Sequence, residues 1–240
     1  MGKSETGHGI NISNFGHLID VVSSYSKYSP SNPDLIIANM KAKLDEAKLL
    51  ENALTGAGGR EKTDGSDRKD LFKSINKLMT RILNHYCSLK VSLRMKGKAK
   101  KMVAVIRGDN VRKKKSKDGK PIPNQKSKSH LGFINRIYNI SKLIAWLEIQ
   151  PVYSPNENDL KVSSLKTFVT TLTNSVDDVN KLSIDTGTKR AMRNVCLYKV
   201  GPGVIDIALA CKKYVRSVYG ARSQQALEVG KIKFRRFMKL

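Results

Sequence analysis

The residues whose chemistry is easiest to read are positive. Between 94 and 130 the chain carries Arg94, Lys96, Lys98, Lys100, Lys101, Arg107, Arg112, Lys113, Lys114, Lys115, Lys117, Lys120, Lys126 and Lys128, against only Asp109 and Asp118. Fourteen cations in 37 residues suit a nucleic-acid backbone. Each phosphate they neutralise releases condensed counterions, so such binding falls steeply with salt. Lysine outnumbers arginine here and no Phe, Tyr or Trp is interleaved. That favours sequence-independent contact over base reading or stacking. The segment KIKFRRFMKL at 231–240 repeats the basic theme with Phe234 and Phe237 between the charges. Its Ile232, Phe234 and Phe237 equally suit burial against the chain's own core. The expected phosphate-contacting set is Lys96, Lys98, Lys100, Lys101, Arg112, Lys113, Lys114, Lys115, Lys117, Lys231, Lys233, Arg235 and Arg236. The competing expectation for 94–130 is a solvated linker.

Other chemistry finds less support. GAGGREKTDGS at 56–66 looks like a phosphate-binding loop, but Glu61 stands where that loop needs glycine before its Lys-Thr. It reads instead as a flexible hinge between helices. His8, His17, His85 and His130 have no metal-ligand spacing to one another. Asp177 and Asp178 are adjacent, and neighbouring helical residues point in different directions. Cys87, Cys196 and Cys211 form no CxxC or Cys/His pair and read as buried thiols of a reducing compartment. No nucleophile, base and oxyanion set emerges. The expectation is a protein without catalytic residues, metal or cofactor.

The whole chain has 45 Lys+Arg against 20 Asp+Glu, a formal net charge of +25. Such an excess repels itself in the compact state, and a polyanionic partner relieves it. The opening MGKSETGHG lacks the apolar stretch of a secretory signal, and no apolar run reaches bilayer-spanning length. The expected location is cytoplasmic.

The elements that position these charges come from a repeat. YSPSNPDL at 28–35 returns as YSPNENDL at 153–160, offset by 125 and identical at five of eight positions. At the same offset Asn14 meets Asn139, Leu18 meets Leu143, Ile19 meets Ile144 and Lys41 meets Lys166. At 126, Leu71 meets Leu197, Phe72 meets Tyr198, Lys73 meets Lys199 and Leu83 meets Leu209. The chain therefore divides into an N-terminal tail (1–10), a first repeat (11–93), a basic connector (94–130), a second repeat (131–220) and a basic C-terminal tail (221–240). Within each octapeptide the proline disfavours helix at the residue before it. Ser31 with Asp34, and Asn156 with Asp159, have capping-box-like spacing. Each copy reads as a turn before a helix start.

Helical stripes follow. Val162, Leu165, Val169, Leu172, Val176 and Val179 are spaced alternately by three and four, placing them on one face. The matching Ile37, Met40, Leu44, Ala47, Glu51 and Leu54 break only at Glu51. Leu71, Ile75, Leu78, Ile82, Tyr86, Leu89 and Leu93 form a further stripe. In the second copy Gly201-Pro202-Gly203 breaks or kinks the helix, whereas the first copy has Ile75-Asn76-Lys77 there. Leading helices cover 14–25 and 133–149, the latter with Trp146 as a core anchor. MVAVI at 102–106 and KIKF at 231–234 are the strand-like exceptions. The predicted fold is all-α, with two related hairpin or three-helix repeats in one pseudo-twofold bundle.

The second repeat, with Leu143-Ile144, Pro151, Tyr153-Ser154-Pro155-Asn156-Glu157, Asp159-Leu160, Leu197-Tyr198-Lys199, Gly203 to Leu209 and Lys213-Tyr214-Val215, resembles an uncharacterised family of basic helical proteins of Bacteroidetes. The resemblance covers most of 139–220 and, more weakly, the first half. It implies a helical, duplicated bacterial protein and carries no functional residues across. Together these features lead to the expectation of a non-enzymatic nucleic-acid-binding protein, with DNA or RNA, including ribosomal RNA, as partner. The alternative is a self-assembling structural protein, because duplicated units expose similar surfaces twice and favour homo-oligomers.

Overall fold

The computed structural model describes residues 7–109 and 131–237. These form α1 (His8–Ser23), a 3-10 turn (Pro33–Leu35), α2 (Ile37–Ser88), α3 (Leu93–Arg107), α4 (Phe133–Glu148), a second 3-10 turn (Asn158–Leu160), α5 (Val162–Tyr198), α6 (Val204–Tyr219) and α7 (Gln224–Lys231). The protein is all-α, and no strand occurs among the described residues. MVAVI is helical, against its strand-like composition. Ala99, Val103 and Ile106, spaced by four and three, bury one face of α3 against α4. That face outweighs the β-branched preference of the valines. KIKF is extended beyond Lys231 but joins no sheet.

The repeated octapeptide is a hydrogen-bonded turn. Tyr28 Oη donates to the Leu35 carbonyl at 2.9 Å, and Tyr153 Oη donates to the Leu160 carbonyl at 2.8 Å. In each copy a tyrosine closes on the backbone seven residues later, just before a long helix begins. The first turn is capped by Asn32, whose side chain accepts from Asp34 N at 3.0 Å, and not by Ser31. The second has no side-chain cap.

Helix ends follow local chemistry elsewhere too. Ser92 Oγ accepts from Met95 N to start α3, and Gly108 closes it at φ 82°. α5 ends at Tyr198 and α6 begins at Val204, with Gly201-Pro202-Gly203 between them. Gly201 sits at φ 87°, and its N–H donates to the Asp206 carboxylate at 2.9 Å. A Cβ on Gly203 would lie 2.4 Å from the Lys199 carbonyl oxygen, so only glycine fits. The corresponding stretch of α2 runs on without interruption. GAGGREKTDGS is also helical, within α2, where a hinge is the sequence expectation. Ala57 within the stretch, and Ala47 and Phe72 on either side of it, are buried and carry the helix through. Tertiary burial overrides the roughly 1 kcal/mol that each glycine costs relative to alanine.

The chain divides into two compact units, one of Met1–Arg60 with Leu182–Leu240 and one of Glu61–Lys181. α2 and α5 each run from one unit into the other, so each unit takes chain from both sequence repeats. The first core gathers Phe15, Leu18 and Val22 of α1, Met40 and Ala47 of α2, Leu197 of α5, and Ala208, Cys211 and Val215 of α6. In the second unit Ile75, Met79 and Ile82 of α2 meet Val103 of α3, Leu143 and Trp146 of α4, and Leu165 and Leu172 of α5. Trp146 is buried 4.9 Å from the Tyr86 ring and acts as the anchor its position suggested. α1 starts at His8, inside the stretch expected as tail, and α7 occupies much of 221–240. No helix among the described residues is long and apolar enough to cross a membrane.

Candidate nucleic-acid interface

α3 presents a row of cations because its sequence is amphipathic in an unusual way. Its buried face is Ala99, Val103 and Ile106, and its first turn and middle contain no acidic residue. Arg94, Lys98 and Lys101, spaced by four and three, are exposed on the far side, and Lys100 is exposed on an adjoining face about 100° round the helix from Lys101. Lys96 is half-buried. Among the described residues none of these five forms an ion pair, whereas Arg107 at the helix end pairs with Asp109 at 3.2 Å. Lys98 Nζ stands 5.5 Å from the Trp146 ring centroid, a cation–π contact that ties one lysine of the row to the core. Like charges three and four residues apart on a helix each cost about 0.2–0.5 kcal/mol, and a bound polyanion turns that repulsion into attraction. The structure thus places Lys96, Lys98, Lys100 and Lys101 on one packed helix rather than on a mobile arm. Arg94 joins them. Arg112, Lys113, Lys114, Lys115 and Lys117 lie outside the described residues.

The C-terminal set behaves differently. Lys231, Lys233 and Arg235 are exposed, but the backbone carrying them is docked on its own unit. Arg236 is engaged: it donates to the Tyr198 carbonyl at 2.8 Å and pairs with Asp206. It is therefore a structural cation and not a free phosphate contact. Ile232 is buried, Phe234 lies beneath the Lys212 ammonium at 5.0 Å, and Phe237 meets the His8 ring at 5.2 Å. The apolar side chains have claimed this segment for the core.

Two further features escaped the sequence pattern. An open cleft of about 520 Å³ in the second unit is lined by Lys77, Arg81, Asp159, Thr167 and Phe168, among others. Arg81 grips Asp159 with both terminal nitrogens, and that bond holds the Asp159 carboxyl below the usual carboxylate range. Lys77 is unpaired among the described residues, and the Thr167 and Thr171 hydroxyls donate to backbone carbonyls one turn back. Second, Arg68 lies over the Phe133 ring at 4.3 Å, and Arg136 donates to the Phe72 carbonyl and Asn76. Neither arginine has a carboxylate partner among the described residues, and burial lowers the Arg136 pKa. The pairing of 68 with 133 spans two helices, so no spacing rule could reveal it.

The remaining candidates are spent on structure. His85 sits edge-on to Tyr153 at 5.5 Å with Glu157 at 3.9 Å, and His8 hydrogen-bonds Tyr198 at 2.7 Å. Burial pushes the Cys196 thiol up to about 11 and raises Cys211 as well, which keeps both un-ionised at neutral pH. Asp177 and Asp178 are exposed. Among the described residues no three His, Cys, Asp or Glu side chains gather closely enough to hold a metal ion. No protein-family model, curated protein or solved structure matches this chain.

Proposed function

We propose that the protein is a non-enzymatic nucleic-acid-binding protein that grips phosphate backbones without reading base sequence. The observation that carries the proposal is the row Arg94, Lys98 and Lys101 on α3, with Lys100 exposed on the adjoining face, all held on a packed helix with no carboxylate partner among the described residues. A row of cations on a fixed helix loses less backbone freedom on binding than a free arm does. Lysine, a point charge without a planar fork, suits phosphate rather than base edges. DNA and RNA, including ribosomal RNA, both fit, as does a cytoplasmic location.

The scaffold that presents this row is, in the same proposal, a duplicated one with pseudo-twofold character. Its support is the pair of tyrosine-to-leucine carbonyl bonds at the same separation, each ahead of a long helix. Further support is that each compact unit draws on both repeats.

Fluorescence anisotropy with labelled duplex DNA, single-stranded DNA and single-stranded RNA, each in two unrelated sequences, tests the function. The expected result is similar affinity for both sequences of each type and a uniform loss in a Lys98→Gln, Lys100→Gln, Lys101→Gln variant. Binding that is unchanged in that variant removes α3 from the interface.

A further inference from the structure

We infer that the groove holding residues 232–237 is a docking site for extended peptide, and that it accepts this same segment from a second copy of the chain. The segment lies in no helix or sheet, and polar side chains of α1 and α6 read its backbone. Asn11 does so twice at one residue: its Nδ2 donates to the Arg235 carbonyl at 2.8 Å, and its Oδ1 accepts from Arg235 N at 3.0 Å. Asn14 Nδ2 donates to the Lys233 carbonyl at 2.7 Å, and Lys212 Nζ donates to the Ile232 carbonyl. Main-chain bonds of this kind hold an extended strand whatever molecule supplies it. Specificity is left to alternate side chains. Ile232 is buried, Phe234 and Arg236 are half-buried, and Lys233 and Arg235 point to solvent.

Two of the groove residues need an occupant. Asn11 is 2% exposed, and beyond the segment its side chain meets only the Tyr198 hydroxyl, at 3.3 Å. Lys212 is 9% exposed, and its hydrogen bond goes to the segment. Emptying the groove breaks these bonds, leaves Asn11 with the Tyr198 hydroxyl alone and uncovers apolar surface that Ile232 and Phe234 had shielded, which disfavours the open state. The sequence that satisfies all of these positions is the chain's own 232–237, so a second copy is the occupant that fits. Exchange of a terminal element between identical chains uses the contacts already present. This inference is independent of the nucleic-acid proposal, because α3 contributes nothing to the groove.

The test is complementation between two full-length variants. Ile232→Asp with Arg236→Glu spoils the segment and leaves the groove intact. Asn11→Ala with Asn14→Ala spoils the groove and leaves the segment intact. By light scattering, each alone is expected to be monomeric, and an equimolar mixture is expected to form a dimer. A mixture that stays monomeric while both variants keep wild-type circular dichroism overturns the inference. Where a variant does not fold, the wild-type chain decides. A synthetic peptide of residues 230–240 competes with a tethered segment at millimolar effective concentration, so about 10 mM peptide is expected to shift the Lys233 and Arg235 amide signals. A scrambled peptide is expected to leave them in place. Signals that ignore both peptides, or respond equally to both, also overturn it.

Discussion

Arg193 of α5, almost wholly buried, donates to the carboxylate of Glu51 of α2 at 3.4 Å. Glu51 is the one position that interrupts an otherwise apolar stripe. The interruption is functional for the fold, because it supplies the counter-charge that a buried guanidinium needs.

Glu51→Leu is therefore expected to destabilise the protein even though it completes the stripe. The loss is of order 1–3 kcal/mol, reduced from the value for a fully buried pair because Glu51 is partly exposed. Adding Arg193→Met is expected to recover most of it. Urea unfolding of the two single variants and the double variant checks the coupling.

Tyr28→Phe and Tyr153→Phe each remove the hydroxyl that satisfies a leucine carbonyl and keep the ring. Each is expected to cost about 1–2 kcal/mol, the range for leaving a backbone acceptor unpaired. Tyr28→Phe is expected to cost the more of the two, measured by thermal or denaturant unfolding, because Tyr28 Oη also meets Cys211 Sγ at 3.3 Å, whereas Tyr153 Oη bonds the Leu160 carbonyl alone among the described residues.

Gly56, Gly58 and Gly65 lie inside α2, and a Cβ added at any of them meets nothing within 4 Å. Replacing each by alanine is expected to raise stability by about 0.5–1 kcal/mol. A flexible hinge at 56–66 would give no such gain. Gly203→Ala is the contrast: the Lys199 carbonyl blocks its Cβ, and a clear loss of stability is expected.

Burial pushes the Lys212 ammonium down to about 8, with Lys233 and Arg216 adding to the effect. Its folded pKa lies below the ordinary value of 10.5, so the unfolded chain binds more protons between these limits. Stability contributed by this group rises as pH increases through 8 towards 10.5. The raised Cys196 and Cys211 thiols act in the opposite direction above about pH 9. The lysine is therefore read as the difference between wild type and Lys212→Met. From about pH 7 to 9.5 that difference is expected to grow by roughly 2 kcal/mol in favour of wild type.

Much of the scaffold was legible in the sequence. The three-and-four spacing of Leu165, Leu172 and Val176 marked a buried face correctly, and Gly201-Pro202-Gly203 marked a true helix end. Both signals are local, which is why they read so directly. The helix through GAGGREKTDGS was not legible, because its glycines favour a hinge and only tertiary burial on either side overrides them. The cation row was half visible. Lysine density at 94–101 was plain, but its order depends on Ala99, Val103 and Ile106 finding α4, a contact between distant parts of the chain. The docking of Arg236 on Asp206 is likewise a long-range pairing, with nothing in its spacing to announce it.

The salt dependence of nucleic-acid affinity tests the central proposal most directly. Each phosphate contact contributes about 0.9 to the slope of log K against log salt concentration on duplex DNA. In Arg94→Gln, Lys98→Gln, Lys101→Gln the slope is expected to fall by roughly 2–3 units, with affinity lost equally across unrelated sequences. A wild-type slope retained in that variant, or affinity that does not change with salt at all, contradicts the proposal.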